Sequence, residues 1–171
     1  MRGRDPFADP EPLIRRVYAY VAYRVGEGAD AEDITSATFE RALKYRNRFD
    51  VDRGEATAWL IGIARRQIAE HYGAQPLLVA EMPEVADEGE LEADVVTRLD
   101  LRRAVGTVGE RDRELIALRF GADLTARQIG ELLGMNTNAV EVALHRALQT
   151  LRSVLERPPT SGAPREGLRV E

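Results

Sequence analysis

Residues Ala126–His145, ARQIGELLGMNTNAVEVALH, constrain the fold more than any other stretch. Ile129, Leu132 and Leu133 recur at helical spacing, so Ala126–Leu133 reads as one helix. Gly134 ends it, because glycine enters the left-handed conformation of a helix C-terminus without steric cost. Asn136 and Thr137 are both cap-forming residues and start a second helix, with Val140 and Leu144 on its inner face. Gly130 is expected where the two helices cross closely, at a point that admits no large Cβ substituent. The pattern is that of a helix-turn-helix, whose second helix enters the major groove of DNA. An ordinary helical hairpin in a bundle is the other reading.

The net charge of -5 looks unsuited to DNA until it is located. Residues 1–80 hold 12 acids and 12 bases, residues 81–100 hold 8 acids and 1 base, and residues 101–157 hold 7 acids and 9 bases. One short acidic stretch therefore carries the excess, and the flanking segments are free to meet nucleic acid. Cysteine is absent, which excludes disulfides and cysteine-bound zinc within this chain. No run of eighteen apolar residues spans a membrane, and MRGRDPFADPEP has no apolar core of the signal-peptide kind. These features point to a cytoplasmic protein.

Along the chain, residues 1–9 are expected to be disordered. Asp9 caps a first helix with Pro10 in its first turn, and Leu13, Ile14, Val17, Tyr18, Val21 and Val25 form its apolar stripe. Gly26 and Gly28 end it. A second helix starts at Asp30 (DAEDITSATFERALKY), with acids favoured in its first turn. Residues 45–55 form a polar loop. A third helix, Ala56–Tyr72, buries Leu60, Ile63, Ala64, Ile68 and His71 and carries Trp59 and Arg66 on another side. Residues 76–94 read as an acidic linker. Helical periodicity returns over Val95–Val108 and Arg113–Phe120, a turn follows at Gly121–Asp123, and the last helix runs to about Glu156. Residues 158–171 read as a disordered tail. The expected fold is all-α: a domain over 10–75, a flexible acidic linker over 76–94, and a helix-turn-helix domain over 95–157.

Four segments in order, DAEDITSATFERAL (30–43), AWLIGIARR (58–66), ERDRELIALRF (110–120) and LTARQIGELLGMNTNAVEVALHRAL (124–148), resemble a bacterial RNA polymerase sigma factor. The resemblance is to the extracytoplasmic-function group of the sigma-70 superfamily and covers roughly residues 10–155. It implies a protein that binds core RNA polymerase, directs it to promoters and assists melting. It implies core RNA polymerase and promoter DNA as partners, together with an anti-sigma factor. A stand-alone helix-turn-helix regulator, or a degenerate sigma-like interaction protein, remains an alternative.

Carried onto this sequence, the resemblance assigns polymerase binding to Glu32, Asp33, Thr35, Ser36, Phe39 and Glu40. An acidic amphipathic helix suits a basic partner surface. It assigns single-strand capture at the -10 element to Arg46, Asn47, Arg48, Phe49 and Asp50, with Trp59, Arg65 and Arg66 tracking the strand. Single strands need cations for phosphates and ring faces for bases. It assigns duplex reading at the -35 element to Arg127, Thr137, Asn138, Glu141, Val142, His145 and Arg146. Family members usually carry a basic residue, Ser and Arg where this chain has Glu141, Val142 and Ala143. Glu can accept from a cytosine amino group and Val can touch a thymine methyl, but two cations are lost. The resemblance also lets the acidic linker imitate nucleic acid inside the polymerase. His71 and His145 lie far apart and no acid or histidine cluster has ligand spacing, so no metal site, cofactor or catalytic set is expected.

Overall fold

The computed structural model describes residue 5, residues 7–73 and residues 92–156, with the backbone alone for 92–99. The regions read as linker and tail fall almost wholly outside the described residues. Seven α-helices account for most of the rest: α1 (Glu11–Val25), α2 (Ala29–Lys44), α3 (Ala56–Tyr72), α4 (Glu92–Thr107), α5 (Glu110–Ile116), α6 (Ala126–Leu133) and α7 (Thr137–Leu155). Two single 3-10 turns, Arg46–Arg48 and Val51–Arg53, shape the loop between α2 and α3. Among the described residues there is no strand.

The first lobe packs α1, α2 and α3 by their apolar stripes. Leu13, Val17, Tyr20 and Val21 of α1 meet Ala31, Ile34 and Ala42 of α2 and Leu60, Ile61, Ala64 and Ile68 of α3. Each fully buried Val, Leu or Ile contributes about 1.5–3 kcal/mol. Pro10, rather than Asp9, is the N-cap of α1, and no side chain caps it. His71 is exposed rather than buried: its ring packs edge-on against Tyr72, and its Nε2 lies 3.5 Å from Asp30. The helix turns its end to solvent there, and Ile61, missing from the expected stripe, is fully buried instead.

The second lobe contains the helix-turn-helix. Thr125 and Gln128 form a reciprocal capping box at the start of α6. Gly134 ends α6 in the left-handed conformation (φ 68°, ψ 34°), and Asn136 caps α7 by accepting from the Ala139 N–H at 2.7 Å. The reason for Gly130 differs from the expected one. A Cβ there would lie 2.5 Å from the Met135 carbonyl oxygen, so the turn itself, not a crossing helix, excludes a side chain. Arg113 is buried under the end of α4 and donates to the carbonyls of Val105, Gly106 and Val108 at 3.2, 2.5 and 3.2 Å. It closes the orphan acceptors of that helix with a positive charge, the favoured sign. Burial first, then Arg24, pulls its pKa down, while Glu110 opposes the shift.

Sequence reasoning expected a plain helix over Arg113–Phe120. The chain instead starts α5 at Glu110 and widens into a π turn over Ala117–Gly121, where the Ala122 N–H reaches the Ala117 carbonyl at 3.0 Å. This widened turn seats the second lobe on the first. A Cβ on Gly121 would come within 2.9 Å of the Tyr20 backbone, so only glycine permits the approach. Leu115, Leu118, Ala122 and Leu124 join the same core as α1 and α3. The two lobes share one continuous core, a contact the expected linker architecture did not contain.

Candidate nucleic-acid interface

Three surfaces carry the residues singled out by sequence. On α2, Glu32, Asp33, Ser36 and Glu40 are exposed, and the spacing of 32, 36 and 40 aligns them along one side. Leu43, 65% exposed, extends that row with an apolar side chain. Thr35 does not belong to it. It is buried, and its hydroxyl donates to the Ala31 carbonyl at 2.7 Å. Phe39 is half-buried and packs against the core. The surface α2 offers a partner is therefore acidic, with one apolar residue at its end.

The second surface is the α2–α3 loop. Asp50 turns the chain by accepting from the Asp52 N–H at 3.0 Å, and its other oxygen lies 3.4 Å from Arg53. That carboxylate is engaged in shaping the loop. Phe49 is half-buried, with its ring centroid 5.3 Å from that of Trp59. Arg48 lies over the ring of Tyr45 at 4.8 Å, and Asn47 is exposed. Arg46 is exposed at the start of the same loop, 5.7 Å from the centroid of the Phe7 ring. Cations next to ring faces are the arrangement that binds single-stranded nucleic acid.

Arg65 and Arg66 are not part of this cluster. Arg66 shares the side of Trp59 but sits seven residues on, about 10 Å along the axis. Both arginines line an open groove of about 1300 Å³ between the lobes, whose other walls include Leu132, Leu133 and Met135. Arg65 is committed to an acid of the second lobe, its Nε lying 2.9 Å from Glu114. That acid is the centre of the seam. Arg24 pairs with it, and the Tyr20 hydroxyl donates to its two oxygens at 3.1 and 3.2 Å. Burial pushes the Tyr20 phenol up to about 12, against the pull of Arg24 and Arg65. Arg16–Asp123 and Arg24–Glu110 at 3.4 Å, and Arg102–Glu27 at 2.5 Å, flank the centre.

The third surface is the solvent side of the helix-turn-helix. Thr137, Asn138, Glu141, Val142, His145 and Arg146 are all exposed, while Val140, Leu144 and Ala147 are buried. The exposed set falls on one side over three turns, as a helix presented to a groove requires. Arg127 is exposed on α6 and pairs with Glu131 at 3.0 Å. Among the described residues no group of three or more histidines and acids could hold a metal ion.

Two family models match the chain: Sigma-70 region 2 over residues 11–75 and Sigma-70, region 4 over residues 98–151. The RNA polymerase sigma factor CnrH of Cupriavidus metallidurans is 30% identical over 142 residues, covering 74% of each chain. This chain belongs to the sigma-70 family, in the extracytoplasmic-function (ECF) group. The ECF sigma factor BldN of Streptomyces coelicolor is 33% identical over 147 residues, and SigW of Bacillus subtilis 27% over 171. The match takes in 81% of this chain but 56% of BldN, so the chain spans little more than half of that relative. Its fold is that of solved sigma factors. RpoE of Bartonella quintana, in complex with the anti-sigma factor NepR, has a TM-score of 0.68 at 16% identity, covering 86% of this chain and 94% of that one. CnrH in complex with the cytosolic domain of CnrY has a TM-score of 0.61 at 20% identity, covering 88% and 84%. The two family models fall on the two lobes.

Two features escaped sequence reasoning. The Glu114 seam joins residues up to 94 positions apart, and no local pattern announces it. Phe7 also belongs to the aromatic cluster, with its ring 5.4 Å from Phe49 and 6.0 Å from Trp59. It lies in the segment expected to be disordered. An aromatic residue between two acids was the one signal that could have found it.

Proposed function

We propose that this chain is a sigma factor: it binds core RNA polymerase, directs it to a class of promoters and assists opening of the DNA. The observation that carries the reading is the ordered pair of sigma regions on two lobes, each with its own exposed residues suited to nucleic acid. The acidic row Glu32, Asp33, Ser36 and Glu40, with Phe39 behind it, docks a basic surface of the polymerase. Arg46, Asn47, Phe49 and Trp59 hold an extruded base and its phosphate at the -10 element, which offsets the few kcal/mol that unstacking costs. Arg65 reaches the strand only if the lobes part, because Glu114 holds it in the closed form, whereas Arg66 is exposed on the groove.

The exposed side of α7 reads the -35 element as duplex. Glu141 and Val142 favour cytosine and thymine contacts over guanine. The chain performs no catalysis, and the polymerase forms the phosphodiester bonds. It works in the cytoplasm, where polymerase and chromosome are. An anti-sigma factor is a further partner, in keeping with the complexes of RpoE and CnrH.

The test is reconstitution with core polymerase and mapping of transcript starts on genomic DNA. Defined starts that vanish without the chain support the reading, and failure to bind core polymerase refutes it. Trp59→Ala separates melting from docking. Permanganate reactivity at the -10 element should fall, with closed-complex binding retained.

A further inference from the structure

The loop that the proposed function assigns to single-stranded DNA already holds a ligand in this structure, and that ligand is the chain's own N-terminal segment. Asp5 pairs with Arg46. Phe7 stands edge-on against Phe49 and Trp59, and Arg46 lies 5.7 Å from the centroid of the Phe7 ring. Asp5 also fixes the segment's own shape, accepting from the Phe7 N–H at 3.1 Å while its carbonyl accepts from the Ala8 N–H at 3.0 Å. The Phe7 N–H foremost, with Arg46 adding to it, keeps the Asp5 carboxyl below its ordinary pKa and so charged. An anion and a ring, two residues apart on a preformed turn, meet a cation and two rings. These are the two groups a nucleotide presents, phosphate and base.

We infer that Asp5 and Phe7 act as a nucleotide mimic, occupying the single-strand site of this chain until promoter DNA displaces them. The inference rests on the reading of the Arg46–Asp50 loop and Trp59 as that site. The geometry suits a displaceable plug. The Asp5–Arg46 pair is about half exposed on both sides, so salt and competing phosphates reach it. Edge-on aromatic contacts of this kind are modest and are matched by a stacked base. Releasing the segment takes Phe7 from its packing against Phe49 and Trp59.

The experiment uses the full chain and, as probe, a fluorescein-labelled single strand of mixed sequence, about 12 nucleotides long. Binding is measured by anisotropy over a salt series for the parent, Asp5→Asn, Phe7→Ala, Trp59→Ala, Arg46→Ala and the Asp5→Asn/Arg46→Ala pair. Asp5→Asn should tighten binding roughly three- to tenfold and steepen the salt slope by about 0.7, one phosphate contact on a single strand. Phe7→Ala should also tighten it, and Arg46→Ala should abolish the gain from Asp5→Asn. Unchanged or weaker binding by Asp5→Asn overturns the inference. So does weaker binding by Phe7→Ala, which would make Phe7 a platform for the base. If Trp59→Ala leaves binding unchanged in every background, the site itself is misplaced and both readings fall. If Trp59→Ala weakens binding while the Asp5 and Phe7 variants do not tighten it, only the mimic falls. The single tryptophan gives an independent readout, since Phe7→Ala should shift Trp59 emission to the red before any DNA is added.

Discussion

Glu114→Ala should be the most damaging single change at the seam. The parent carboxylate is 11% exposed and serves three partners from the first lobe: Arg24, Arg65 and Tyr20. Removing it strands Arg24, whose side chain is 8% exposed and whose Nε already lacks a partner. The remaining acid near Arg24 is Glu110, at 3.4 Å and 58% exposed, too wet to compensate. The Tyr20 hydroxyl also loses its acceptor. Breaking a buried ion pair from one side costs about 3–5 kcal/mol, and an orphaned hydroxyl about 1–3. The two losses overlap, and Arg65 is more than a third exposed and adds little. The expected total is about 3–5 kcal/mol, a large share of the 5–15 typical of a folded domain. At this chain length that is a fall in melting temperature of roughly 6–20 °C. Urea denaturation at neutral pH gives the number. The double variant Arg24→Met/Glu114→Leu, which removes both charges, should recover most of the loss. A loss under about 1 kcal/mol for Glu114→Ala would equal a surface pair and refute the placement of this acid at a dry, shared seam.

Gly121→Ala should cost about 1–3 kcal/mol, because the new methyl meets the Tyr20 backbone rather than a side chain that can move. Gly106→Ala, in a helix with open space at the Cβ, should be neutral or stabilising by up to about 1 kcal/mol, and thermal denaturation compares the two. Alkaline stability should follow Tyr20. Its pKa rises from 10 unfolded to about 12 folded, so the stabilisation is complete below pH 10 and is lost as pH climbs to 12, about 3 kcal/mol in all. Tyr20→Phe should remove its share of that dependence, and absorbance at 295 nm should show one fewer late-titrating phenol, leaving Tyr72. Glu141→Lys should tighten binding to a duplex upstream element and steepen its salt slope by about 0.9, measured by filter binding over a salt series.

What the sequence made legible was local. Gly134 and Asn136 bracket a turn whose geometry depends on a few adjacent residues, and both sit where chain chemistry requires. The stripes of α1 and α3 were legible for the same reason, apart from Ile14, which is exposed, Tyr20 and Ile61, which are buried, and His71. The seam was not. Tyr20 and Glu114 are 94 positions apart, Arg16 and Asp123 107, and each looks like an ordinary residue of its own helix or turn. Gly121 read as a turn residue, because a sequence does not show which distant backbone will press on a glycine. The exposed site residues fell between these cases. Helical phase placed Thr137, Asn138 and Glu141 outward, but Thr35 shows that a polar residue in an acidic row can still face inward and satisfy itself on the preceding turn.

The seam and the proposed function make opposite demands, and its chemistry reconciles them. Elements named for positions -10 and -35 lie some 25 base pairs apart, roughly 85 Å along B-form DNA at about 3.4 Å per step. The longest helix here has 19 residues, about 28 Å, and the lobes touch. One closed molecule cannot read both elements, so engaging the promoter requires the lobes to separate. An apolar seam alone would resist this, since water gives nothing back when such surface is exposed. The seam also places Arg16, Arg24, Arg65, Arg102, Glu27, Glu110, Glu114 and Asp123 around the apolar core the lobes share. These side chains recover hydration on opening, which offsets part of the cost of exposing the apolar core. On the proposed function Arg65 would then leave Glu114 for the strand, and the cation that holds the closed form would come to favour the open one.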